Sequence, residues 1–339
     1  MRVLFFGDAT SIHIHRWKSA LEERGVEVRL ITPDKNGGIY FPYPSKRDIF
    51  KDCVNFRHIL FSFRPHLIHI HYLPTSWTNI TRYAGLKKIV LSIWGGDIWG
   101  RESLSWKDRF YRAYLLRHAA MVISPSFYLI KKALEYTRLI KKWEIIPTGV
   151  DTGFFKRKRG KKRMILFPKH LEERYGGMVL LRAMEKVKER FPEVVLYMTG
   201  RGEAEEEWRR FAERKKLRVV FTGDVPHEKM RELYEDAWVV VVPSLVGEGL
   251  PVSVLEASSM EVPVVGSALG GIREAVVHGE TGFLFEPGNS EELARYLIKL
   301  LENKKLADRM GRKGRERVKM KFEWKRCTER MIEVYRRIL

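Results

Sequence analysis

The sequence contains no glutamine and only two cysteines among its 339 residues. Cys53 and Cys327 lie far apart and match no metal-ligand or redox spacing, so a disulfide framework and a cysteine-based zinc site are both excluded as readings. No uninterrupted apolar run approaches the roughly 18 residues of a membrane-spanning helix. The apolar stretch in "MRVLFFGD" is too short for a secretory signal and leads into a polar loop, which makes a cytoplasmic setting the expectation. No short-period repeat occurs, so a solenoid or propeller is not indicated. Acidic residues are scarce: 42 Asp and Glu face 63 Lys and Arg, leaving a net charge of +21. The deficit is local. Residues 1–151 carry 24 Lys and Arg against 13 Asp and Glu, and residues 152–169 add eight cations and no acid. A basic half suits an acidic partner such as nucleic acid, anionic lipid or a phosphorylated substrate. It equally suits a solvated surface of the thermophile type, with which the abundance of Lys, Arg and Glu also agrees.

What is present is a long alternation of apolar runs and helical spacings. Hydrophobic residues make up 45% of the chain, and the length fits two domains of ordinary size. "RVLFFG", "VEVRLIT", "HLIHIHY", "KIVLSIW", "AAMVIS" and "WEIIPTG" read as strands, with helical sequence between several of them; residues 14–24 place Ile14, Trp17, Ala20 and Leu21 on one helical face before Gly25. The pattern restarts with "MILFPK" and continues through "VVLYMTG", "RVVFTG", "WVVVVPS" and "VPVVGS". Strands alternating with helices imply βαβ units and parallel sheets, here two doubly wound α/β halves in tandem. The joint lies near Gly149–Arg163, where "TGVDTGFFKRKRGKKR" breaks the apolar pattern. The final "WKRCTERMIEVYRRIL" spaces Met331, Val334, Tyr335 and Ile338 along one helical face.

Ligands in such folds sit at the carboxyl ends of strands. The stretch after "WVVVVPS" is therefore informative. "GEGLPVSVLEA" holds Glu248 and Glu256 eight residues apart, with Gly247 and Gly249 flanking the first and Pro251 suited to a first helical turn. Two carboxylates beside a helix N-terminus can accept hydrogen bonds from a polyhydroxylated ligand while free N–H groups take an anion. The same pattern also fits one Glu at a helix dipole and another on a solvated face.

The wider segment decides between these. "PSLVGEGLPVSVLEASSMEVPVVGSALGGIREAVVHGETGFLFEPGN" resembles the nucleotide-sugar-binding segment of retaining glycosyltransferases of the GT-B type, family 4. The resemblance rests on Glu248 and Glu256, then Pro263-Val264-Val265, Gly270-Gly271 with Glu274, and Gly279 to Leu284. Weaker likeness extends along nearly the whole chain, through "WEIIPTGVDTGFF", "HEKMRELYEDAWVVVVPS" and the last helix. It implies a GT-B fold: two Rossmann-like doubly wound domains facing across a cleft, residues 1–155 on the acceptor side, 156–320 binding the nucleotide sugar, and 321–339 a helix returning to the first domain.

The resemblance also implies roles. Glu256 would hold the donor ribose, and Glu248 a sugar hydroxyl, with Gly249, Leu250, Pro251, Gly270, Gly271 and Glu274 completing the donor site. Members of the family place an Arg and a Lys near the start of the second domain to grip the diphosphate. Here "PKHLEERYGG" puts Lys169 at the first of these places and Tyr175 at the second, with Arg174 beside it. Lys169 and Arg174 are the expected cations. In the first domain, "LSIWGGDIW" places Trp94 where a His is common in the family, and Asp97 follows. Asp97 is read either as a catalytic group facing a sugar or as the cap of the next helix. Asp8, Ser11 and His13 of the first loop, with His71 and Trp94, are acceptor-side candidates by position. His69 and His71 alternate so as to share a strand face, but no third ligand accompanies them, and neither a metal nor another cofactor is expected.

The resemblance implies an enzyme of the hexosyl-transferring class that moves a sugar, with retention of configuration, from a nucleotide-diphosphate sugar to an acceptor hydroxyl on a sugar, polyol, lipid-linked or polysaccharide precursor. The alternatives are a sugar-nucleotide epimerase of the same fold, or a basic nucleic-acid-binding protein, for which no stacking motif is present and which is therefore not expected. "WKDRFYRAYLLRHAAM" interleaves Trp106, Phe110, Tyr111, Tyr114 and Leu115 with Lys107, Arg109, Arg112 and Arg117. It reads either as a peripheral contact with an anionic membrane face or as an ordinary helix with Phe110 and Tyr114 buried.

Overall fold

The computed structural model describes residues 1–32, 38–40, 49–72, 88–98, 104–158, 160 and 162–339. It divides into two compact units, Met1–Thr148 with Lys325–Leu339, and Gly149–Trp324.

Among the described residues, the first unit contains a seven-stranded sheet of β1 (Arg2–Phe6), β2 (Glu27–Thr32), β3 (Ile39–Tyr40), β4 (Leu67–His71), β5 (Ile89–Ser92), β6 (Met121–Ser124) and β7 (Trp143–Ile145). Their order is β3-β2-β1-β4-β5-β6-β7, and every pairing is parallel. A parallel sheet covered on both faces needs nearly continuous apolar strands. Accordingly Val3 to Phe6 and the whole of β4 are buried, two histidines included. The helices are α1 (Ile12–Glu22), α2 (Ile49–Phe63), α3 (Trp106–His118) and α4 (Phe127–Leu134). Helix α1 ends where expected, with Gly25 in the left-handed region at φ 76°.

The second unit contains a six-stranded parallel sheet in the order β10-β9-β8-β11-β12-β13. Its strands are β8 (Met164–Phe167), β9 (Val195–Thr199), β10 (Val219–Gly223), β11 (Val239–Val242), β12 (Val264–Ser267) and β13 (Gly282–Phe285). Two strands go beyond those expected, β3 and β13. The first is two residues long. The second, "GFLF", starts on a glycine that sits against the Val264 carbonyl, where a Cβ would lie 2.0 Å from the oxygen. The helices of this unit are α5 (Gly177–Arg190), α6 (Glu205–Arg214), α7 (His227–Asp236), α8 (Val252–Ser259), α9 (Ile272–Ala275), α10 (Ser290–Glu302) and α11 (Lys304–Lys321).

The last helix, α12 (Trp324–Ile338), buries Cys327, Thr328, Met331, Ile332, Val334 and Tyr335 on one stripe, and from Lys325 onward it belongs to the first unit. The unit boundaries fall at Thr148 and Lys325 rather than at 155 and 321. The cause is local pairing. Val150 N–H donates to the Phe322 carbonyl at 2.9 Å, and Trp324 N–H donates to the Val150 carbonyl at 3.0 Å. Val150 and Phe155 then pack into the second unit's core beside Tyr234, Val254 and Phe322.

Candidate functional site

In the second sheet the chain runs from β8 outward to β10, then returns on the other side of β8 to β11. The direction of winding reverses between β8 and β11, which is where a doubly wound sheet opens a crevice at its carboxyl edge. The loops after β8, β11 and β12 meet there. Leu245 N–H donates to the Arg174 carbonyl at 2.8 Å, and Gly271 N–H donates to the Glu248 carbonyl at 2.8 Å. The contacts leave no room for side chains. A Cβ on Gly271 would lie 1.8 Å from the Gly249 oxygen, and one on Gly176, whose φ is 70°, would lie 2.0 Å from the Pro243 oxygen.

Glu248 stands in the loop before α8, with its side chain 15% exposed. One carboxylate oxygen pairs with the Lys169 ammonium, and the other accepts from the Ser244 hydroxyl. Ser244 is wholly buried, and its carbonyl accepts from Ser267 Oγ at 2.7 Å. The carboxylate is thus fixed from two sides. Glu256 lies on the second turn of α8, which has Pro251 at its N-cap position and Leu250 buried ahead of it. Tyr234 Oη donates to Glu256 Oε2 at 2.9 Å, and His227 Nε2 stands 3.9 Å from Oε1. Burial, reinforced by the Glu256 carboxylate, holds the Tyr234 phenol well above its usual pKa, so it remains a donor. The His227 ring stacks on Phe154, with centroids 5.0 Å apart at 9°.

The loop after β8 carries Lys169, then a short 3-10 turn at Glu173–Tyr175, then Gly176 and the start of α5. Among the described residues no side chain caps α5; the Val179 N–H donates to the Gly176 carbonyl at 3.0 Å, and the positive end of the helix ahead of it favours an anion. Arg174 pairs with Glu172 at 2.7 Å and is half exposed. Glu274 is half-buried on α9, and its carbonyl accepts from Arg317 at 2.7 Å. The second unit therefore brings Glu248, Lys169, Arg174, Gly249, Gly270 and Gly271 into one region, with Glu256 on the helix that follows. Glu248 and Glu256 can accept hydrogen bonds from hydroxyls, and the cations and N–H groups can hold an anion. Three side chains that the sequence does not single out enter here: Ser244, Tyr234 and His227. For Tyr234 a signal exists, since Met230, Leu233 and Tyr234 follow helical spacing.

The first unit reverses winding between β1 and β4. His13 stacks on Trp94 with ring centroids 5.6 Å apart. Asp8 accepts from the N–H and hydroxyl of Thr10, and Ser11 is the N-cap residue of α1 without a side-chain capping bond. His71 is only 2% exposed rather than open to a crevice. It packs on His69 at 4.0 Å and Phe5 at 4.3 Å, and neither ring nitrogen has a hydrogen-bond partner among the described residues. Burial lowers its pKa to about 3. His69 shares its strand face, as expected, but its nitrogens engage Tyr335 Oη at 2.5 Å and Ser92 Oγ at 2.7 Å. Among the described residues no group of three His, Cys, Asp or Glu is placed to hold a metal.

Asp97 is wholly buried, and its carboxylate turns back to accept from the N–H groups of Trp94 and Gly95 at 3.0 and 2.8 Å. It shapes the turn on which Trp94 sits. Residues 99–103, whose helix it would cap, lie outside the described residues. Arg112 does not join the exposed cations of α3: it is buried, 5% exposed, and donates to the Asp97 carbonyl. Phe110, by contrast, is exposed and not part of a buried face.

The family model for glycosyl transferases group 1 matches residues 151–317, and that for glycosyltransferase family 4 matches residues 10–154. The chain belongs to the group 1, family 4 glycosyltransferases. A phosphatidyl-myo-inositol mannosyltransferase of Mycobacterium leprae is 32% identical over 174 residues, 51% of this chain and 46% of that protein. The chain spans about half the length of the curated relatives it matches. Among solved structures, sucrose-phosphate synthase of Thermosynechococcus elongatus superposes with a TM-score of 0.80 at 21% identity, covering 100% of this chain and 99% of that one. HepE of Anabaena, in complex with UDP-glucose, gives 0.83 at 17% identity, covering 98% and 99%. These likenesses establish the two-domain α/β fold of the GT-B type.

Proposed function

We propose that the chain transfers a sugar from a nucleotide-diphosphate sugar to an acceptor hydroxyl, with retention of configuration. The observation that carries this is the Glu248–Lys169 pair at the β8/β11 crevice, with Glu256 on the second turn of the helix that follows. Glu256 takes the ribose hydroxyls, prepared by the Tyr234 hydrogen bond. Glu248 takes a hydroxyl of the transferred sugar, held in place by Ser244. Lys169, Arg174 and the N-terminus of α5 take the diphosphate, whose leaving oxygen gains negative charge as the glycosidic bond breaks. Interactions that strengthen as that charge develops raise turnover rather than merely binding donor. The acceptor enters on the face from which the diphosphate leaves. HepE, solved with UDP-glucose, supports this class of donor.

The test is a thermal-shift screen against UDP, GDP and ADP and their sugars, followed by assay of released nucleoside diphosphate with and without acceptors. A ligand at a hundred times its dissociation constant adds about 2.7 kcal/mol. A donor that stabilises the protein, with diphosphate release that depends on acceptor, is expected. Release that needs no acceptor and yields an altered sugar would instead mean an epimerase.

The acceptor side is proposed to rest on an anionic membrane surface, as a lipid-linked acceptor requires. Trp106 is 74% and Phe110 57% exposed on α3, beside exposed Lys107, Arg109 and Arg117. Exposed rings flanked by cations suit a headgroup boundary, where each Lys or Arg adds about 1 kcal/mol. The Mycobacterium leprae relative is named a phosphatidyl-myo-inositol mannosyltransferase, which pairs a lipid with sugar transfer. Among the described residues no helix is long and apolar enough to cross a membrane. Sedimentation with anionic and neutral vesicles decides the point: anionic binding lost at high salt and in Trp106→Ala/Phe110→Ala supports docking, and absence of binding to either leaves a water-soluble acceptor.

A further inference from the structure

We propose that Tyr175 is a positioning residue whose ring gathers Lys169 and Arg174 into a single grip for the donor diphosphate. The proposal rests on the assignment of the loop after β8 as the diphosphate site. Lys169 Nζ lies 5.1 Å and Arg174 Cζ 4.8 Å from the Tyr175 ring centroid, both within the roughly 6 Å reach of a cation–π contact.

The ring itself is anchored. It is half-buried against the core of the second unit, and its backbone ends the 3-10 turn immediately before Gly176, which is wedged on the Pro243 carbonyl. Each cation also holds a carboxylate, Lys169 that of Glu248 and Arg174 that of Glu172. Two cations drawn to one place repel each other unless something offsets the repulsion. An aromatic face does so without occupying any N–H donor, because it attracts the charge and not a particular hydrogen. Lys169 and Arg174 can therefore exchange carboxylate for phosphate while remaining against the same ring. A glutamate in place of the ring would compete with the phosphate, and an aliphatic side chain would leave the two cations to separate.

The experiment compares affinities for a nucleoside diphosphate and its monophosphate, UDP with UMP or GDP with GMP, by calorimetry on the full chain. The gain from the second phosphate is the readout. Tyr175→Phe keeps the ring and should keep that gain. Tyr175→Leu, and Tyr175→Met as a second variant of similar length, should reduce it by roughly 5- to 30-fold while leaving monophosphate affinity unchanged. An undiminished gain in Leu and Met variants, or an equal fall in both affinities, would overturn the proposal. A wild-type chain that binds the diphosphate no better than the monophosphate would overturn the diphosphate assignment on which it rests.

Discussion

At the scale of single residues, two hydroxyls set two carboxylates. Tyr234 points its hydrogen at Glu256, and Ser244 points its own at Glu248. Glu256→Ala is expected to abolish measurable nucleoside diphosphate binding. Tyr234→Phe, which removes one hydrogen bond and leaves the ring in place, should weaken binding by about tenfold or less; calorimetry on both variants checks the order. A second prediction concerns the buried histidines of β4. Burial, and then the repulsion a proton on neighbouring His71 would add, holds the His69 pKa well below its usual value, and burial brings His71 to about 3, so both rings stay neutral when folded and the unfolded chain binds more protons. The stability contributed by the neutral rings is then full above about pH 6.5 and is lost as pH falls below it, for His71 down to about 3, at about 1.4 kcal/mol per pH unit while a ring is protonated only in the unfolded chain. The urea midpoint of wild type between pH 7.5 and 5 should fall more steeply than that of His71→Phe; parallel slopes would contradict it.

At the scale of elements, the loops are what the glycines make possible. Gly271 lets the loop after β12 lie against Gly249, which places the backbone beside Glu248. Gly271→Ala must push that loop away and should cost about 1–3 kcal/mol in thermal stability, with weaker donor binding; an unchanged melting temperature would show that the loop yields freely. Most elements could be read in advance, because buried parallel strands announce themselves as apolar runs such as "WVVVVPS" and the glycines mark where they end. β13 is harder: "GFLF" is four residues long and opens on a glycine. The site was legible in part. A carboxylate beside two glycines, as at Asp97, reads equally as a ligand contact or as a hydrogen-bond acceptor for its own turn, and only the fold shows it turned back on Trp94 and Gly95. Partners distant in sequence, such as Tyr234 for Glu256, depend on which helix faces which, and no local pattern states that.

At the scale of the whole molecule, the first unit is assembled from two stretches separated by the entire second unit. Tyr335, on α12, supplies the hydroxyl that His69 engages 266 residues earlier. Translation is vectorial, so this arrangement dictates an order of events. At about 5–20 residues per second, His69 waits roughly 13–50 s after its own synthesis before Tyr335 exists. The second unit, continuous from Gly149 to Trp324, can fold while the ribosome is still working. The first must remain an incomplete intermediate, lacking the helix that spans Trp324–Ile338, until residues 325–339 emerge. Nascent chains arrested after Trp324 should therefore yield a protease-resistant fragment from the second unit and a sensitive one from the first. Extension through residues 325–339 should convert the sensitive fragment to a resistant one, because those residues complete the first unit.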